Sequence, residues 1–281
     1  MRELEGKLWG AKEKLQWTFS IVAAAHGIAM AKSAPHPLVL HSRRTPRAGS
    51  VTHMSASYFT PKTIRFLTAL TLNNNREWFE AHRDDYEGFV REPALRLIRD
   101  FAPVLKQFSS HLLAVDKKVG GSLMRGQRDT RFSRDKSPYK TNIGIQFRHK
   151  VGRDVHAPGL YLHVAPDACF LGSGVWHPDP EALGRIRTRI VEKPKAWFKV
   201  STDSNFRKLF DLTGESLLRP PRGTDPDHPA ISDLKRKDHI AIAPLTERDI
   251  TSPRLLETVS ARFSLTKSYF RFLCEALELP F

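Results

Sequence analysis

TNIGIQFRH, residues 141–149, sets Ile143, Ile145 and Phe147 on one side of an extended chain and Asn142, Gly144, Gln146 and Arg148 on the other. A period of two is the signature of a half-buried strand. GLYLHVAP (159–166) repeats it, with Leu160, Leu162 and Val164 facing one way and Tyr161 and His163 the other. ACFLGSGVW (168–176) reads as a further strand ending in a glycine turn. Before Gly120–Gly121 the period is helical instead. Thr60 followed by Pro61 is an N-cap and first-turn proline, so PKTIRFLTAL predicts a helix. A second start falls at Asn74 with Glu77 three residues on, followed by Phe79, His82, Tyr86 and Phe89 along one face. Pro93 opens a third helix, with Leu95, Ile98 and Leu105 among its apolar positions.

After the strands, Asp179 and Pro180 open PEALGRIRTRIVEK. Leu183, Ile186 and Ile190 form its inner face, and Arg185 and Arg189, at i and i+4, share an outer one. Residues 217–234 are proline-rich and irregular, and one long helical pattern, 253–279, closes the chain. The pattern predicts a single α+β domain with N-terminal helices, a central, mostly antiparallel sheet and C-terminal helices.

The domain is expected over residues 54–281. Residues 1–53 read as a poorly structured or mis-started extension, because HSRRTPRAGS is polar, basic and without periodicity. IVAAAHGIAMA imitates a signal-peptide core, but Glu3, Glu5 and Glu13 spoil a basic leader. The chain has 281 residues, 40% of them hydrophobic, and no apolar run approaches the ~20 residues of a membrane span. Cys169 and Cys274 are far apart with no CxxC spacing, which fits a reducing cytoplasm better than a disulfide scaffold or a cysteine zinc site.

The formal charge is +15, and its location points to an anionic partner. Between Gly120 and Arg153 nine basic residues stand against two acidic ones. The densest part is RDTRFSRDKSPYKTN (128–142). Arginine offers a planar fork for bidentate phosphate or carboxylate contacts, and lysine a compact charge. Candidate ligand-binding residues are therefore Arg128, Asp129, Arg131, Phe132, Lys136, Tyr139 and Lys140, with the aspartates holding the cations and the aromatic rings packing or stacking. Candidate catalytic residues are Asp135, Lys136, Tyr139 and His163. His156, His163 and His177 match no metal-ligand spacing, so no metal is expected. FLGSGVW lacks a dinucleotide fingerprint, and P-loop, GxSxG and HExxH patterns are missing, so no cofactor is expected either.

YFTPKTIRFL (58–67), NNNREWF (73–79), RDTRFSRDKSPYK (128–140), GLYLHVAP (159–166), GSGVWHPDPEALGRIR (172–187) and LLRPPRGTDPDHP (217–229) together resemble a bacterial family, domain of unknown function 2461 (DUF2461). The resemblance runs from about Tyr58 to Leu279 and weakens around Lys235–Arg248. It implies a shared fold and a cytoplasmic setting, and it supplies no activity. Three functions compete for the basic segment. The first is a module binding a phosphate-bearing anion, nucleic acid or nucleotide. The second is an enzyme acting on a small phosphorylated substrate, and the third is a structural latch with no ligand.

Overall fold

The computed structural model describes residues 57–131, 133–151 and 157–281. The extension expected over 1–53 and the residues Phe132 and His156 lie outside that range. Helix α1 (Pro61–Leu72) starts as expected: Thr60 donates its N–H to the Thr63 hydroxyl at 3.1 Å and accepts the Thr63 N–H at 2.8 Å. Helix α2 (Arg76–Ala81) begins one residue later than the sequence suggests. Asn75, not Asn74, caps it by accepting the Trp78 N–H at 2.9 Å, which releases Asn74 for a contact described below.

The apolar face read through Phe89 is not one continuous helix. Helix α3 (Arg83–Tyr86) passes into a π-helical turn (Glu87–Arg91) before α4 (Glu92–Phe108). At that wider turn the Phe89 carbonyl accepts the Thr63 hydroxyl at 2.8 Å, which ties α1 to it. Leu95, Ile98 and Leu105 of α4 are buried, as their spacing predicts.

Among the described residues the sheet has six strands, β1 (Leu112–Leu113), β2 (Ile143–His149), β3 (Gly159–Val164), β4 (Cys169–Val175), β5 (Asp211–Thr213) and β6 (His239–Leu245). Their order is β1-β2-β3-β4-β6-β5 and every neighbouring pair is antiparallel. One face carries Ile143, Ile145, Phe147, Leu160, Leu162, Val164, Leu171 and Ala241 into the main core, which includes the helices on either side in sequence. Burying each large apolar side chain there stabilises the fold by about 1.5–3 kcal/mol.

The opposite face is covered over β3, β4 and β6, while on β2 Gln146 is half-buried and Arg148 exposed, as the half-buried reading expects. Tyr161, Phe170, Ile240 and Ile242 form a second apolar cluster beneath Met124, Ala168 and Trp176. Residues 122–124 reach it by running along β2, where Met124 donates its N–H to the Gly144 carbonyl at 2.9 Å and Gln146 donates to Ser122 at 2.8 Å.

Helix α5 (Pro180–Glu192) is capped by Asp179, which accepts the Ala182 N–H at 2.7 Å. Helices α6 (Pro194–Ser201), α7 (Ser204–Leu209), α8 (Ile231–Leu234) and α9 (Glu247–Thr251) fill the connections around β5 and β6. The closing helical pattern is split into α10 (Leu255–Leu265) and α11 (Lys267–Ala276). At the break the buried Thr266 hydroxyl donates to the Phe263 carbonyl at 2.9 Å and accepts the Ser173 hydroxyl of β4 at 3.0 Å. The sheet thus fixes where the helix stops. No helix among the described residues is long and apolar enough to cross a membrane.

Candidate functional site

The basic segment is a long loop closed by a two-rung neck. Arg128 donates its N–H to the Pro138 carbonyl at 2.8 Å, and Lys140 donates to Gly126 at 2.7 Å. The neck is clamped from the helices by Asn74. Its side-chain amide donates to the Tyr139 carbonyl at 2.9 Å and accepts the Tyr139 N–H at 3.0 Å, the two bonds a neighbouring strand would make. The Tyr139 ring is buried and stacked on Phe79, with centroids 3.9 Å apart and planes at 12°. Tyr139, named above among both the ligand-binding and the catalytic candidates, is therefore placed with its ring in the core.

Beyond the neck each aspartate holds an arginine. Asp129 accepts from Arg131 twice, at 3.0 Å from Nε and 2.8 Å from Nη2, and from the Arg131 backbone N–H at 3.3 Å. Those bonds bring its carboxyl down to about 2, the Arg131 side chain being the largest cause. Asp135 accepts the Ser137 hydroxyl at 2.6 Å and its N–H at 2.9 Å, while its second oxygen pairs with Arg128. The Ser137 hydroxyl first and Arg128 second hold the Asp135 carboxyl far below the ordinary carboxylate range. Lys136 donates to the Thr130 carbonyl at 3.0 Å across the loop.

Arg128 is largely enclosed, its side chain 15% exposed, whereas Arg125 and Arg131 are 63% and 72% exposed. Arg134 and Lys136 also face solvent. The aspartates shape the loop from within, and the outer cations keep a positive surface.

His163 stands at the inner end of this loop. It lies on β3 opposite Gly144 of β2, which comes four residues after Lys140. Its ring stacks on Phe170, with centroids 4.6 Å apart, and its Nδ1 shares a 3.0 Å hydrogen bond with the Tyr161 hydroxyl. A side chain at position 144 would put Cβ 2.8 Å from both the Tyr161 hydroxyl and the Met124 sulfur, so the close approach requires glycine there. His163 is 1% exposed. Burial, and secondly the Lys140 ammonium, lower it to about 3, so the ring is neutral. Its Nε2 has no hydrogen-bond partner among the described residues, a state that ordinarily costs about 1–3 kcal/mol.

Sequence reasoning reached Lys140 and His163 separately, and did not foresee that the Lys140 charge acts on the buried ring. It missed the Asn74 clamp, whose only local signal was a second asparagine beside a helix start.

Arg185 and Arg189 are engaged elsewhere, with Glu278 at 3.1 Å and Glu275 at 2.6 Å respectively. His177 pairs through Nδ1 with the fully buried Asp238 at 3.2 Å, in a left-handed backbone conformation of φ 44°. Among the described residues no group of three or more His, Cys, Asp or Glu is placed to hold a metal ion.

Residues 62–272 match the model of a family described as "Conserved hypothetical protein (DUF2461)". No curated protein matches the chain.

Proposed function

The chain belongs to the DUF2461 family, and from the geometry of its basic loop we propose that it binds a phosphate-bearing anion, nucleic acid or nucleotide, through residues 125–140. The supporting observation is how the charge is divided. Asp129 and Asp135 are committed to Arg131 and Arg128, while Arg125, Arg134 and Lys136 keep exposed cationic heads. A loop held from within and positive outside suits recognition of phosphate oxygens, because little backbone entropy remains to be lost on binding.

The same geometry weighs against a proton-transfer role for Asp135. A carboxyl held far below its ordinary range is a weak base at neutral pH. The latch reading draws support from the Asn74–Tyr139 clamp, but a latch needs no outer ring of cations. Two free cysteines, one half-buried and one buried, fit the cytoplasmic setting that belongs to this reading.

The test is fluorescence anisotropy of a labelled single-stranded oligonucleotide with the full chain. If about three phosphates are contacted, affinity is expected to fall roughly 20-fold between about 50 and 200 mM salt. Binding that ignores ionic strength, or no binding at all, overturns the proposal.

A further inference from the structure

Between α1 and the π-helical turn lies a cavity of about 730 Å³, walled in part by Tyr58, Pro61, Phe89 and Pro93. We propose that it binds a small organic anion, a flat apolar body carrying one acidic head, carboxylate or phosphate. The volume falls within the roughly 300–1,000 Å³ of small-molecule sites. Gly88 also lines the cavity, and a Cβ added there would meet no atom within 4 Å, so that side stands open. The π-helical turn supplies both Gly88 and Phe89, and turns of this kind recur at functional sites.

Charge is the second observation. Lys62, Arg65, Arg96 and Arg99 line the cavity, and among the described residues that do so Glu92 is the only acidic one. Arg99 is committed to Asp116 at 2.9 Å. Arg96 is fixed as part of the wall. Its Nη2 donates to the Ser57 carbonyl at 2.7 Å, and its guanidinium lies 5.0 Å from the centroid of the Tyr58 ring. That ring is anchored in turn by its hydroxyl, which donates to Asp100 at 2.7 Å.

Lys62 and Arg65 carry the binding. Both are exposed, and among the described residues neither forms an ion pair. They stand three residues apart on α1, a spacing that puts them on one helix face. The Lys62 ammonium is 5.3 Å from the centroid of the Phe89 ring. A cation over a ring keeps its N–H donors for an oxyanion. The acidic head accordingly lies between Lys62 and Arg65, with the apolar body against Phe89 and Pro93. A bare inorganic anion would leave those apolar walls uncovered, and a neutral body would leave the two cations unmatched. None of these residues belongs to the loop at 125–140, so the site stands or falls independently of the reading of that loop.

The experiment is titration calorimetry of the full chain with three probes that share one body: 2-naphthoate, 2-naphthyl phosphate and the uncharged 2-naphthalenemethanol. At least one of the two anions is expected to bind saturably, one per chain and about tenfold or more tighter than the alcohol, and the tighter anion names the head. The double variant Lys62→Ala/Arg65→Ala is expected to weaken that anion about tenfold or more and to leave oligonucleotide binding unchanged. Both side chains are exposed, so the variant should keep its unfolding midpoint.

Anions that bind no tighter than the alcohol would overturn the site, as would saturable binding of none of the three probes. So would a folded double variant that binds the anion as well as the parent does. The comparison of anion with alcohol is made on the unmutated protein, so a variant that fails to fold does not decide the matter.

Discussion

Asn74 carries more of the site's architecture than its position suggests. One amide satisfies both backbone groups of Tyr139, 65 residues further along, and so seats the Tyr139 ring on Phe79. Asn74→Ala would leave an N–H and a carbonyl in a part-buried place without that partner. At about 1–1.5 kcal/mol for each lost bond the expected cost is roughly 2–3 kcal/mol. Chemical denaturation would show a lower midpoint with unchanged slope. An unshifted midpoint would mean that the clamp is incidental. The basic residues of the loop were legible in the sequence because their chemistry is intrinsic to their type. Their partners were not. Residue type does not say that Asp135 holds Arg128 rather than Arg134, or that Tyr139 turns inward. The turn of Tyr139 is made by contacts with Asn74 and Phe79, which are distant along the chain.

At the scale of elements, the β4–β6 pairing depends on a backbone only glycine adopts readily. Gly174 has φ +131°, and a Cβ there would sit 2.1 Å from the His239 carbonyl oxygen. Backbone against backbone cannot yield as a side-chain tip would. Gly174→Ala is therefore expected to cost about 3 kcal/mol or more. Gly184, inside α5, has open space where a methyl group would sit, with no atom within 4 Å of it. Gly184→Ala is expected to stabilise by about 0.5–1 kcal/mol through helix propensity. Thermal unfolding of the two variants should move in opposite directions, and a Gly174→Ala protein as stable as the parent would contradict the pairing. The same pairing explains what the sequence hid. Strands β2 and β3 announce themselves by alternation between an apolar set and Gly, Gln, Arg, Tyr or His. In HIAIAPL every residue but Pro244 is buried, because β6 lies between β4 and β5 with both faces covered. An apolar run without alternation carries no period to read. The divided closing helix was hidden for a related reason, since its break is set by Ser173 across the core and not by a local glycine or proline.

At the scale of the whole molecule, a sheet largely covered on both faces encloses histidines that resist protonation in the fold. His163 and His239 are each lowered to about 3, burial being the first cause for both. For His163 the second cause is Lys140. For His239, Arg236 and Arg187 lower it further, while Asp233 and Asp238 oppose them. In the unfolded chain each titrates near its ordinary value of about 6.5. Between about 6.5 and 3 the unfolded state therefore holds protons that the folded state lacks, and stability falls as pH falls through that window. Each histidine contributes up to about 1.4 kcal/mol per pH unit, so the pair is expected to cost roughly 2 kcal/mol between pH 6 and 5. The loop carboxylates act lower on the scale. Asp129, lowered to about 2, gives a contribution present above its ordinary value near 4 and lost only as pH drops from there toward 2. Denaturant unfolding between pH 6.5 and 5 thus isolates the buried imidazoles. His163→Phe should remove about a third to a half of the slope, since the buried His149 is lowered as well, and should do so whatever its own effect on stability, because the slope counts protons and not contacts. A stability that is flat across this window would mean that water already reaches these rings in the native fold.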